Sequence, residues 1–184
     1  MQTEFYILQP QRTRAKTEAI RQHNADKSMG RTDMLYSKRD TLDCTTLGLL
    51  AEIVLEDNLT LRKCEGHAVY KKGDFDPDFF NHLGESIEVK STDPTPDKVK
   101  DEVLFNESFH DRKTRAGKLG KFAVFAEFSD QWKVATRIKL IGFIETSEIP
   151  NYPVNPNRTD LTPAFHIPKS KLRTDFETIL RNRK

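Results

Sequence analysis

The stretch that decides the reading is DPDFFNHLGESIEVKST, Asp76 to Thr92. DFFNH, with its paired aromatics, and SIEVKST, with its β-branched residues, each read as a strand. Leu83, Gly84 and Glu85 join them, and Gly84 supplies the backbone freedom that a tight turn requires. The prediction is a hairpin with Asp78 on its first arm, Glu88 ten positions later on its second, and Lys90 two beyond that. Side chains alternate along a strand, so Glu88 and Lys90 share one face, roughly 6 to 7 Å apart, while Ile87 and Val89 point to the other.

Two kinds of chemistry fit this pattern. Asp78 and Glu88 are hard oxygen donors of the sort Mg²⁺ takes in ones and twos, with water and substrate phosphate completing its shell. Lys90 beside them would orient or deprotonate an attacking water, or stabilise charge building on a phosphate. Alternatively, Glu88 and Lys90 are an exposed pair guarding an edge strand and worth roughly a few tenths of a kcal/mol. The tripeptide alone is common and does not choose between them.

The flanking sequence adds a third carboxylate. TTLGLLAEIVLEDN, Thr45 to Asn58, has a Thr at its start and apolar residues around nearly the whole circumference, which predicts a buried helix. Glu52 sits inside that run, where an ionised acid is costly unless a partner or metal receives it.

Further out, EFYILQ (Glu4 to Gln9) reads as a short strand ended by Pro10, followed by a polar segment to Asp40 with weak helical signals. HAVYKK (His67 to Lys72) reads as a strand broken by Gly73. Pro94 and Pro96 close the hairpin's second arm, and KDEVLFNES (Lys100 to Ser108) predicts another strand. His110 to Lys121 is a basic helix or long loop, and KFAVFAEF and KVATRIKLIGFIET are two strongly apolar strands around Trp132, which is expected to pack between them. Asn151 to Pro163 is a proline-punctuated loop. SKLRTDFETILRNRK, Ser170 to Lys184, reads as a terminal helix with Leu172, Phe176, Ile179 and Leu180 on one face.

This order predicts an α/β (α+β) domain, a central mixed β-sheet flanked by helices. At 184 residues one domain accommodates the whole chain. Within it residues 1–44 form an amino-terminal extension, 45–146 the core, and 147–184 a proline-containing loop with the terminal helix.

A net charge of +2 excludes a globally basic nucleic-acid binder, so distribution matters more than the sum. Lys and Arg gather in the amino-terminal segment, in the tail, and in the run Arg112, Lys113, Arg115, Lys118 and Lys121, while Asp74, Asp76, Asp78, Glu85 and Glu88 bunch in one place. An acidic centre flanked by basic arms suits a phosphate-binding, metal-using site, and the five residues from Arg112 to Lys121 are its candidate nucleic-acid contacts.

No run has the length of a membrane span and the amino terminus lacks a secretory pattern, so the expected location is cytoplasmic, in a bacterium or, for a viral protein, in the host cell. Cys44 and Cys64 read as small buried hydrophobes rather than a disulfide or metal pair. His110 with Asp111 is a weaker general-base candidate. No glycine-rich phosphate loop or serine nucleophile elbow is present.

The order Glu52 in a first helix, Pro77 and Asp78, then Glu88, Val89 and Lys90 resembles the PD-(D/E)XK nuclease superfamily, which holds restriction endonucleases, junction resolvases and many phage nucleases. The resemblance covers roughly residues 45 to 146, and GD-x-D followed by IEVKST and IKLIGFIE is similar to small phage-type members. It implies a restriction-endonuclease-like core and a metal-dependent nuclease hydrolysing DNA with Mg²⁺ (or Mn²⁺). It also implies that Asp78, Glu88 and the backbone carbonyl of Val89 bind the metal, that Lys90 serves the attacking water, and that Glu52 assists from the helix. Asp76 shares a face with Asp78, so a two-residue slip would exchange them, and either completes the site. Many nucleases of this fold pair as homodimers, for which the terminal helix would offer a surface. The alternative expectation is a non-catalytic nucleic-acid-binding or assembly protein on the same fold.

Overall fold

The structure is a computed structural model that describes residues 1–28, 41–64, 76–92, 94, 101–154 and 163–183. In chain order it forms β1 (Glu4–Tyr6), α1 (Gln9–Ser28), α2 (Thr41–Asn58), β2 (Arg62–Lys63), β3 (Phe79–Phe80) and β4 (Ser86–Thr92). β5 (Glu102–Asn106), α3 (Glu107–Arg115), β6 (Phe122–Phe128), β7 (Arg137–Glu145) and β8 (Ala164–Pro168) follow. The expected strand at residues 67–72, Gly73 and Asp74 lie outside the described residues, as does part of the proline-punctuated loop.

The fold is mixed α+β. Six strands form one sheet in the order β1-β7-β6-β4-β3-β2, and β5 and β8 pair separately. β4 and β6 run parallel, with Glu88 beside Ala123 and Val89 beside Val124, and the other pairings in the large sheet are antiparallel. A parallel pair needs a crossover, and β5 with α3 supplies it between β4 and β6.

Alternation along the strands sorts the two sides of the sheet. Ile87 and Val89 of β4, with Phe122, Val124, Ala126 and Phe128 of β6, join the core that α1 and α2 complete. Ala123 and Phe125 face a second cluster with Val103, Phe105, Phe165 and Ile167 from β5 and β8. β6 is apolar at every position but Glu127 because both of its faces are covered. A bulge in β7 opposite Phe125 and Ala126 shifts the alternation, so Ile138 and Leu140 share the first core with Phe143.

The hairpin forms as its sequence predicts. Asn81 folds back over the turn, its Oδ1 accepting the N–H groups of Leu83 at 2.9 Å and Glu85 at 2.8 Å, and Gly84 takes a φ of +79°. α2 starts at Thr41, four residues before the expected Thr45, and buries Leu47, Leu49, Leu50, Ala51, Ile53, Val54 and Leu55.

Two expectations need correction. Pro10 does not end a structured segment; it lies in the first turn of the 20-residue α1, where its missing N–H has no helical partner to lose. α1 buries Gln11, Ala15, Ala19 and Gln22 at helical spacing, and Gln11 Nε2 donates to Asp57 of α2 at 2.8 Å. Arg12, read as part of a basic arm, instead donates to the carbonyls of Trp132 (2.8 Å), Lys133 (3.3 Å) and Ala135, and so ties α1 to the connection between β6 and β7.

The second correction is the tail, which forms no α-helix among its described residues. Leu172, Phe176, Ile179 and Leu180 are buried as expected, but on an extended chain with short 3-10 turns at Lys169–Lys171 and Phe176–Thr178. β1 pairs only with Arg137 to Lys139, which leaves the rest of that β7 edge open, and Arg173 occupies it by exchanging two 2.9 Å backbone hydrogen bonds with Phe143. Leu172 then packs directly on the backbone at Gly142, where a Cβ would collide with it. Without a terminal helix, the surface proposed for homodimer pairing is not formed. Among the described residues no helix is long and apolar enough to cross a membrane.

Candidate active site

The hairpin brings Asp78 against the peptide that joins Glu88 to Val89. The Asp78 N–H donates to the Ile87 carbonyl at 3.1 Å, and its carboxylate Oδ2 accepts the Val89 N–H at 2.6 Å. Asp78 is buried, and Glu88 is 0 % exposed. Such a carboxylate persists only where donors surround it.

Three donors do so. Lys113 Nζ from α3 lies 2.5 Å from Glu88 Oε1, the Gly120 N–H donates to the same oxygen at 3.2 Å, and Lys90 Nζ stands 3.4 Å from Oε2. Lys113 Nζ also donates to the Asp76 carbonyl at 3.0 Å, while the Asp76 carboxylate pairs with Lys118 at 3.0 Å. Both ammonium groups of the Glu88 pair lie over the ring of Phe109, Lys90 at 4.2 Å from its centroid and Lys113 at 4.7 Å.

Glu52 projects from α2 towards Lys63, 4.0 Å away. Its charge is also felt at Lys90. Burial pulls the Lys90 pKa down, but the carboxylates of Glu88, Asp78 and Glu52 outweigh it and hold the value above that of an ordinary lysine, so Lys90 is an ammonium. The same cluster acts on Cys64, whose thiol is pushed up to about 11 by burial first and then by Asp76, Asp78 and Glu88.

No known protein family, curated protein or solved structure matches this chain. The site is therefore read from its own residues.

Asp76 and Asp78, interchangeable in the sequence, hold different places. Asp78 caps the Val89 peptide, whereas Asp76 offers its carbonyl to Lys113 and its carboxylate to Lys118. The basic run divides as well. Lys113 is buried on Glu88 and Lys118 turns to Asp76, so neither lies on an open basic face as expected of a nucleic-acid contact. Arg115 and Lys121 are exposed and Arg112 is half-buried; Lys121 pairs with Glu85 at 2.6 Å. His110 is buried against Phe105 and Phe165, with Nε2 3.3 Å from the Thr146 carbonyl, and takes no part in the cluster.

Lys113, Phe109 and Gly120 are the residues that sequence reasoning did not place here. A Cβ on Gly120 would stand 3.0 Å from Glu88 Cγ, 3.1 Å from Glu88 N and 3.2 Å from Ile87 C, two of which are backbone atoms of β4. Gly120→Ala is thus expected to destabilise the fold by about 1 to 3 kcal/mol, as overpacking does. Urea denaturation measures this, and an unchanged midpoint would mean that the loop moves off β4 at no cost.

Cys64 gives a second expectation. Its folded pKa exceeds the ordinary 9.0, so the stability it contributes is complete below pH 9 and is lost as pH rises towards about 11. Native protein at pH 8 should leave Cys64 unmodified by iodoacetamide until urea unfolds it. Rapid labelling of native Cys64 would contradict this.

Proposed function

We propose that the chain is a metal-dependent nuclease that hydrolyses DNA phosphodiester bonds. The observation that carries this reading is the buried placing of Asp78 beside Glu88 on the hairpin, with Asp78 Oδ2 on the Val89 N–H at 2.6 Å and Lys90 Nζ 3.4 Å from Glu88 Oε2. Two buried carboxylates on adjoining arms of the hairpin, with a lysine beside them, supply the hard oxygens a divalent cation takes and the cationic group a phosphate would meet.

The residues fit such an ion. Among the described residues no three His, Cys, Asp or Glu side chains form a ready-made cage. Yet Glu88 Oε1 and the Asp76 carbonyl already converge on a single cation, the Lys113 ammonium, at 2.5 and 3.0 Å. Mg²⁺ or Mn²⁺ would be held by Glu88, Asp78 and the Val89 carbonyl, with Asp76 the alternative to Asp78. When bound, the ion lowers the pKa of a water and polarises the phosphoryl oxygen.

The chain's own groups supply the rest. Lys90 orients or deprotonates the attacking water, or stabilises charge on a non-bridging phosphate oxygen. Phe109 fixes the direction of its side chain, and Glu52 assists from α2. Arg112, Arg115 and Lys121 provide backbone contacts that do not read sequence.

The test is incubation with Mg²⁺ or Mn²⁺ and supercoiled plasmid, linear duplex, branched DNA and single strands. Cleavage is expected from the wild type, and cleavage persisting undiminished in Glu88→Gln or Lys90→Met would sink the proposal. One observation favours a non-catalytic nucleic-acid-binding role instead: Glu88 is already met by two ammonium groups, so the cluster holds together without a metal. That reading predicts binding without turnover in every metal.

A further inference from the structure

Glu88 Oε1 and the Asp76 carbonyl oxygen are two hard donors aimed at one positive charge, and the charge belongs to the chain. Lys113 reaches them from the last turn of α3, is 3 % exposed, and comes 37 residues after Asp76 and 25 after Glu88. Its contact with Oε1, at 2.5 Å, is much closer than that of Lys90 with Oε2, at 3.4 Å, although Lys90 is the nearer residue in sequence. The closer lysine holds the carboxylate; the other is left at the edge of pairing distance.

We propose that Lys113 is the resident counter-cation of this site, holding the position of a divalent ion, and that such an ion binds by exchange with its ammonium. A fully buried carboxylate needs a positive partner at all times, because an uncompensated buried charge costs several kcal/mol. Lys113 meets that need while no ion is bound. An ion ligated by Oε1 repels an ammonium on the same oxygen, so Lys113 gives way. It is a positioning residue: it sets Glu88 in place and opposes the ion's entry.

The inference rests on the metal-dependent reading above, and its test does not pass through catalysis. Mn²⁺ is titrated calorimetrically into the wild type, Lys113→Gln and Lys113→Met, with Glu88→Gln as control. The glutamine amide preserves a hydrogen-bond donor towards Glu88 while removing the charge, so Lys113→Gln is expected to bind Mn²⁺ at least about tenfold more tightly than the wild type, and Glu88→Gln to lose that binding. Should Lys113→Gln be too unstable to titrate, Mn²⁺ is expected to raise its melting temperature by more than it raises that of the wild type. Equal or weaker Mn²⁺ affinity in Lys113→Gln, an equal melting shift, or no Mn²⁺ binding by any of the proteins overturns the inference. The nuclease proposal fails on a different result, a wild type that cuts no nucleic acid with Mn²⁺ bound. Tighter Mn²⁺ binding by Lys113→Gln would stand regardless.

Discussion

Glu88→Ala is expected to cost the folded state about 3 to 5 kcal/mol, the range for removing one partner of a buried ion pair. Glu88 is 0 % exposed and Lys113 3 %, so where they stand neither is in contact with water, and the one left behind must move to reach it. The alanine variant would leave the Lys113 ammonium, among the described residues, with the Asp76 carbonyl and the Phe109 ring, and the Gly120 N–H without its Glu88 acceptor. Much of the cost is the stranded ammonium rather than the lost attraction. Glu88→Gln keeps an oxygen for Gly120 and should lose less. Urea denaturation of the two variants separates these contributions. An alanine variant within about 1 kcal/mol of the wild type would mean that Lys113 escapes to solvent, and would remove the reason for treating it as an obligatory counter-ion. Because the alanine variant confounds stability with chemistry, Glu88→Gln is the variant for cleavage assays.

What the sequence made legible was local. The hairpin was readable because the turn signal at Leu83 to Glu85 and two-residue alternation in SIEVKST are both short-range, and together they set Asp78 beside Glu88 and Val89. α2 was readable because seven of its residues are large or apolar and become core. α1 was faint for the opposite reason: its buried stripe is Gln11, Ala15, Ala19 and Gln22, small or polar residues that pack without a strong hydrophobic period. The tail misled because Leu172, Phe176, Ile179 and Leu180 have spacings that suit a helix, and the open β7 edge beyond Lys139 offered their backbone a better partner. Tertiary context overrode propensity there. Lys113 was hidden for a similar reason. In DRKTR it resembles its neighbours Arg112 and Arg115, and only the packing of α3 against β5 and β8 sets the buried lysine apart from those two more open cations. A usable signal was present: Phe109 and Lys113 are four apart on one helical face, and both meet the site.

Lys90→Met should leave the fold nearly intact and reduce cleavage by about 10² to 10³-fold, the loss found when one donor to developing charge is removed. The stability expectation follows from the Glu88 contacts, since Lys113 and the Gly120 N–H still satisfy Oε1, and the Lys90 pair is the longer one at 3.4 Å. Methionine also keeps most of the apolar stem against Phe105 and Phe109, over whose rings the ammonium lies at 5.5 and 4.2 Å. The activity expectation follows from charge. Lys90 Nζ stands beside Glu88 at 3.4 Å, where charge building on a phosphate would meet it, and methionine removes that group. Lys90→Arg is therefore expected to retain more cleavage than Lys90→Met, because it restores charge though not shape. Glu52→Gln, which removes the weakest of the three carboxylate influences on Lys90, should have a smaller effect than either. Melting temperatures unchanged with cleavage lost would place Lys90 in the chemistry. A Lys90→Met variant that melts several degrees lower and cleaves at the wild-type rate would return the E-x-K to a structural ion pair, in which Lys90 supports Glu88 and nothing more.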